Sequence, residues 1–175
     1  MEADGDRNPP VAVLVSGDAR GGTKLTRAGE TPYGSRMNQP LLTPVFILIA
    51  LTFALLFWMG GARFMAVSDR AVRIKDIALG QQAWPPRVTK IDRSFHNQLE
   101  LPLLFYALVA LAIGMDIQST LLVTLEWLFV ALRLVHAGIH VTTNHLLARF
   151  AAFVAGALVL LIMWIWFAAR VYFGP

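Results

Sequence analysis

The sequence contains no cysteine. That absence excludes a disulfide framework, a thiolate metal site and a cysteine nucleophile of the protein's own, so any sulfur chemistry needs a sulfur brought by a ligand. Charge is scarce too: 15% of the 175 residues are charged against 57% hydrophobic. That balance is too apolar for a soluble domain of this length. A net charge of +4 and a pI near 10 would point to nucleic acid in a soluble protein. Here the basic residues flank the apolar runs, so membrane topology accounts for them and no nucleic-acid partner is expected. A signal-peptide core is missing as well. The apolar patch of the first 36 residues, Val11 to Val15, is too short for one.

What the sequence does hold is four long apolar runs, which predict an all-α, integral membrane four-helix bundle over 37–175. Residues 1–36 lack sustained periodicity and read as a disordered or non-native tail. The first span begins after Arg36 and stays uncharged from Met37 to Ala62, with Gly60, Gly61 and Arg63 marking its exit. A polar loop follows, with a short surface helix expected over Ala71–Leu79 and a stop at Trp84-Pro85-Pro86. The second span is expected over Asp92–Met115, with a kink where Pro102 cannot bond the carbonyl of Gln98. The third is expected over Ser119–Thr142, and the fourth around the uncharged run Phe150–Ala169. Arg63, Arg70, Arg73, Lys75, Arg87 and Lys90 all lie in the first loop. The positive-inside rule therefore places loop 63–90 in the cytoplasm. Arg7, Arg20, Lys24, Arg27 and Arg36 would then have to cross, so either the tail is translocated or translation starts at Met37.

Two polar stripes run through these spans. Arg93, His96, Asn97 and Glu100 recur at helical spacing in the second, and Glu126, Arg133, His136, His140 and Asn144 in and just after the third. A charged residue at mid-span costs roughly 2.5–3.5 kcal/mol on insertion scales. Glu100, Glu126 and Arg133 together would cost about 8–10 kcal/mol unpaired. They are therefore expected to pair, as Glu100 with Arg133, or to line a hydrated cavity. Three readings stay open on residue pattern: a functional site, a structural network that only joins helices, and a metal- or haem-binding bundle using His136 and His140.

The run Arg93-x-x-x-Asn97-x-x-Glu100 with Pro102 close behind, paired with Arg133-x-x-His136-x-x-x-His140 and Arg149, resembles the MAPEG family, the membrane-associated proteins of eicosanoid and glutathione metabolism, in a bacterial-type member. The resemblance covers about residues 39 to 172. It implies a homotrimer in the inner membrane, surrounded by lipid, binding glutathione as cosubstrate between subunits near the cytoplasmic side. Such a protein acts as a glutathione transferase or peroxidase on an apolar small-molecule substrate. By motif position, Asn97, Glu100 and His136 would hold the peptide, Arg93 and Arg133 would serve its carboxylates or support the site, and His96 would stand among the glutathione-binding residues. Arg149 would face the thiol, with His140 assisting, and no metal is implied. The sequence departs from the family pattern at His96, where many members have Arg, and at His140, where catalytic members usually have Tyr. Phe150 and Phe153 stand where some members carry hydroxyls.

Overall fold

A computed structural model describes residues 13–17, 23–27, 39–77 and 84–174. The chain divides into two units, Met1–Met37 and Asn38–Pro175. In the first, strands β1 (Val13–Gly17) and β2 (Thr23–Arg27) pair antiparallel, Val15 opposite Leu25. The sequence reading expected no regular structure before Arg36. These ten residues pair instead, carrying β-branched residues at Val13, Val15, Thr23 and Thr26. The rest of that expectation lies outside the described residues.

The second unit is helical. Helix α1 (Gln39–Ser68) is followed by the one-turn α2 (Ile74–Ile77), then α3 (Pro86–Asn97), α4 (Leu101–Gly114), α5 (Thr120–Val141) and α6 (Leu146–Phe173). With α3 and α4 taken together, four helical segments are long and apolar enough to cross a membrane. Several expected bounds shift. Helix α1 continues about two turns past Gly60 and Gly61, because glycine within a helix lowers its stability without ending it. Pro85 and Pro86 start α3 six residues before the expected Asp92, Pro86 occupying a first-turn position where its missing N–H is harmless. The surface helix shrinks to Ile74–Ile77, the remainder of Ala71–Leu79 being non-helical to Arg73 and outside the described residues after Ile77.

The break in the second span falls where the sequence places it. Helix α3 ends at Asn97, the amides of Gln98 and Leu99 turn back to Phe95 and His96, and Glu100 adopts φ −94°, ψ −95° before α4 begins. Pro102 sits in the first turn of α4, so its missing donor leaves the Gln98 carbonyl without a helical partner. Three connections turn through left-handed residues: Arg70 after α1, Asp116 after α4 and Asn144 after α5, all at φ near +55°. Asp and Asn tolerate that region well, and Ser119 then caps α5 by accepting from the Leu122 amide at 3.0 Å.

The core is a continuous apolar cluster. Leu41 and Leu48 of α1, Phe105, Leu108 and Val109 of α4, Leu122 and Phe129 of α5, and Leu160 and Met163 of α6 are all buried. Phe105 and Phe129 stack with ring centroids 5.0 Å apart and tie α4 to α5. A smaller cluster of Ala66, Val72 and Val88 folds the loop after α1 onto α3. Arg63 strengthens that join: its guanidinium bonds Asp92 and lies over the Trp84 ring at 5.2 Å.

Candidate functional site

The polar stripe of α5 is buried inside one chain. Glu126, Arg133, His136 and His140 are between 0% and 5% exposed. The stripe of α3 behaves oppositely: Arg93, His96 and Glu100 are exposed and Asn97 is half-buried. Asn97 is where the two stripes meet. Arg133 donates through Nη2 to its backbone carbonyl and to its Oδ1, the latter at 2.8 Å. The expected pairing of Glu100 with Arg133 is not formed among the described residues. Helix α3 ends one turn early, so Glu100 leaves the helical face and Asn97 takes its place. Glu100 instead sits 3.5 Å from Asn97 Nδ2.

Arg133 thus stands behind the site and orients the residue that lines it. Both bonds come from Nη2; Nε and Nη1 of Arg133 are buried with no hydrogen-bond partner among the described residues. Glu126 has no hydrogen-bond partner for either carboxylate oxygen among the described residues. The expectation that every intramembrane charge pairs or lines a cavity does not hold for Glu126, which faces the apolar core one turn from Leu122 and Phe129.

At the end of α5 the chain turns through Asn144 and enters α6. This corner delivers Arg149. Its Nη1 donates to Asn144 Oδ1, and its backbone carbonyl accepts from His136 Nδ1 at 3.0 Å. A carbonyl only accepts, so His136 carries its proton on Nδ1 and keeps Nε2 for another partner. His136 and His140 meet edge to face at 5.7 Å, and Phe153 of α6 packs 5.9 Å from His136.

These residues enclose two adjoining cavities. One, of about 250 Å³, is lined by Asn97, Glu100, His136, His140 and Arg149, with Leu146, Phe150 and Phe153 on its apolar side. The other, of about 420 Å³, shares Asn97, Glu100, His140 and Arg149 and extends to Asp92, Arg93 and His96. Seven of the eight residues to which the resemblance gives a binding or catalytic role therefore border these adjoining cavities. Arg133 is the exception and acts through Asn97. The joint cavity lies at the bundle end that carries the loop after α1, since α3 begins there, α5 ends there and α6 begins there.

Sequence reasoning missed Asp92. It accepts from Arg63 and stands 3.6 Å from His96 Nδ1, which also lies 2.9 Å from the Asp92 carbonyl. The i,i+4 spacing of Asp92 and His96 was the available signal. No group of three or more His, Cys, Asp or Glu side chains gathers as a metal set among the described residues.

Chemically, the space offers two guanidinium groups, two carboxylates, three imidazoles and an amide, beside an apolar wall. Fold and site define an integral membrane protein whose helices present a polar pocket at one end of the bundle. The model of the MAPEG family matches residues 41–169, most of the chain, and the protein belongs to that family. Neither a curated protein nor a solved structure matches the chain.

Proposed function

We propose that the joint cavity binds glutathione and presents its thiolate to an apolar electrophile or peroxide, making the protein a glutathione transferase or peroxidase of the membrane. The observation that carries this reading is the convergence of Arg93, His96, Asn97, Glu100, His136, His140 and Arg149 on one space. Glutathione brings two carboxylates and one ammonium, and this lining supplies cations and an anion to match. Arginine forks suit carboxylates, and Glu100 suits the ammonium. A free thiol titrates near 8.5, and a fixed guanidinium such as Arg149 favours the thiolate, which is the nucleophile. His140 takes the place of a hydroxyl donor beside it. Phe150 and Leu146, 62% and 66% exposed on the cavity's apolar side, open it toward the bilayer, from which an apolar substrate would enter.

The polar face of α3 remains uncovered in one chain, at a cost that lipid cannot offset. A homotrimer in which a neighbouring subunit closes the cavity resolves this. The protein would sit in a bacterial inner membrane with the 63–90 loop, and hence the site, on the cytoplasmic side. The test is equilibrium binding of glutathione to the purified full chain in detergent, with the assembly mass measured by analytical ultracentrifugation. Saturable binding to a trimer is the expected result. Absence of binding, or binding by a monomer, overturns the respective part of the reading.

A further inference from the structure

A second groove lies away from this site, where the last turns of α1 cross the start of α3. It has a volume of about 390 Å³. Phe57, Trp58, Gly61 and Met65 supply apolar walls, and Asp69 and Arg87 supply the charged residues of the lining. From Phe57 to Asp69 the groove follows α1 for about 18 Å at 1.5 Å per residue. Helix α1 has 30 residues, about 45 Å, against a hydrocarbon core of about 30 Å. Its end therefore passes through the headgroup layer, and the groove runs from apolar depth to polar surface.

The two charges are of opposite sign and are not paired with each other. Both residues are exposed, and neither side chain makes an ion pair or hydrogen bond among the described residues. Elsewhere in this region opposite charges do find each other, Arg63 with Asp92 and Arg73 with Asp76. An apolar trough that ends between a separate cation and a separate anion is complementary to a molecule with an apolar tail and a zwitterionic head.

We propose that this groove holds a phospholipid with an ethanolamine headgroup, its acyl chain along Phe57, Trp58 and Met65, its phosphate on Arg87 and its ammonium on Asp69. The headgroup chemistry decides among lipids. A guanidinium binds a phosphate of any phospholipid. A primary ammonium donates N–H bonds to a carboxylate, whereas a quaternary choline has no N–H to donate. A phosphoglycerol head brings no cation and leaves Asp69 facing a net negative lipid. Gly61 provides the space: a Cβ built there meets nothing within 4 Å. This inference is independent of the glutathione reading.

The experiment is native mass spectrometry of the full chain in detergent with ethanolamine, choline and glycerol phospholipids of identical acyl chains. Retention of the ethanolamine lipid is expected to exceed the other two by about tenfold, the worth of a charge-assisted hydrogen bond. Asp69→Asn is expected to remove that preference, and Arg87→Gln to lower retention of all three lipids. Gly61→Leu, which fills the trough, is expected to lower all three as well. Equal or stronger retention of the glycerol lipid by the unsubstituted protein overturns the headgroup match. Retention unchanged by Arg87→Gln and Asp69→Asn, both surface substitutions compatible with folding, overturns the site. A Gly61→Leu variant of altered assembly mass makes the groove a contact between copies and overturns the proposal.

Discussion

Two guanidinium groups on successive helices do different work. Arg149 borders the cavity and is held by Asn144, whereas Arg133 is buried and gives its Nη2 to Asn97. Under the proposed reading, Arg149→Ala should leave glutathione affinity nearly intact while depressing turnover and the ultraviolet signal of bound thiolate. Glu100→Gln should weaken binding about tenfold, because a charge-assisted hydrogen bond to the ligand ammonium is worth roughly 1.5–3 kcal/mol. Titration calorimetry paired with difference absorbance separates the two outcomes, and equal loss of affinity in both variants would remove Arg149 as the activating cation. Arg133→Ala is expected to act on stability first. It deletes two hydrogen bonds from a charged donor and leaves Asn97 unsupported, so thermal unfolding in detergent should show a loss of about 2–4 kcal/mol. The residue types were legible from helical spacing alone. Their partners were not, since the spacing places Glu100 and Asn97 on one face and cannot say that the helix ends between them.

At the scale of elements, that ending is the decisive feature. Pro102 announces a kink in the sequence, and the structure turns it into a three-residue interruption, 98–100, between α3 and α4. Around the interruption, Ser94 of α3 and Gln98 just after it stay inward while Glu100 lines the cavity. Restoring a helical donor with Pro102→Ala should favour a continuous α3–α4 helix. The expected result is a bundle that still folds, judged by circular dichroism, with glutathione affinity reduced because Glu100 returns to the helical register. Unchanged affinity would show that the break is independent of the proline. The four spans and their order were legible in the hydropathy pattern. The start of α3 was not, because a Pro pair reads equally as the end of one helix or the beginning of the next. The length of α1 was obscured in the same way by Gly60 and Gly61, which a packed helix absorbs.

For the whole molecule, the direction of insertion sets which compartment reaches the site. The absence of native cysteine permits single-site labelling. A cysteine at Ala71 reports the end of the bundle bearing the loop and the cavity, and one at Met115 reports the opposite end; both positions are exposed. With an impermeant thiol reagent on intact cells, the Met115→Cys variant should label and the Ala71→Cys variant should be protected. The reverse pattern would place the cavity outside. The basic residues of the loop are the sequence signal for the proposed orientation; how the α3 polar face is covered is not written in the spacing of one chain.

The buried stripe of α5 also bears on how the chain is made. A nascent helix leaves its insertion machinery by partitioning into lipid, and α5 carries Glu126 and Arg133 through that step at about 2.5–3.5 kcal/mol each. In the finished protein Arg133 rests on Asn97, a residue synthesised earlier in α3. If that contact forms during insertion, the preceding helices are a template for α5, and its admission depends on them rather than on its own hydropathy. Transplanted alone into a reporter, α5 should insert poorly; preceded by 39–114 it should insert efficiently, and Asn97→Leu in that longer chain should lower the yield again, as read by glycosylation mapping.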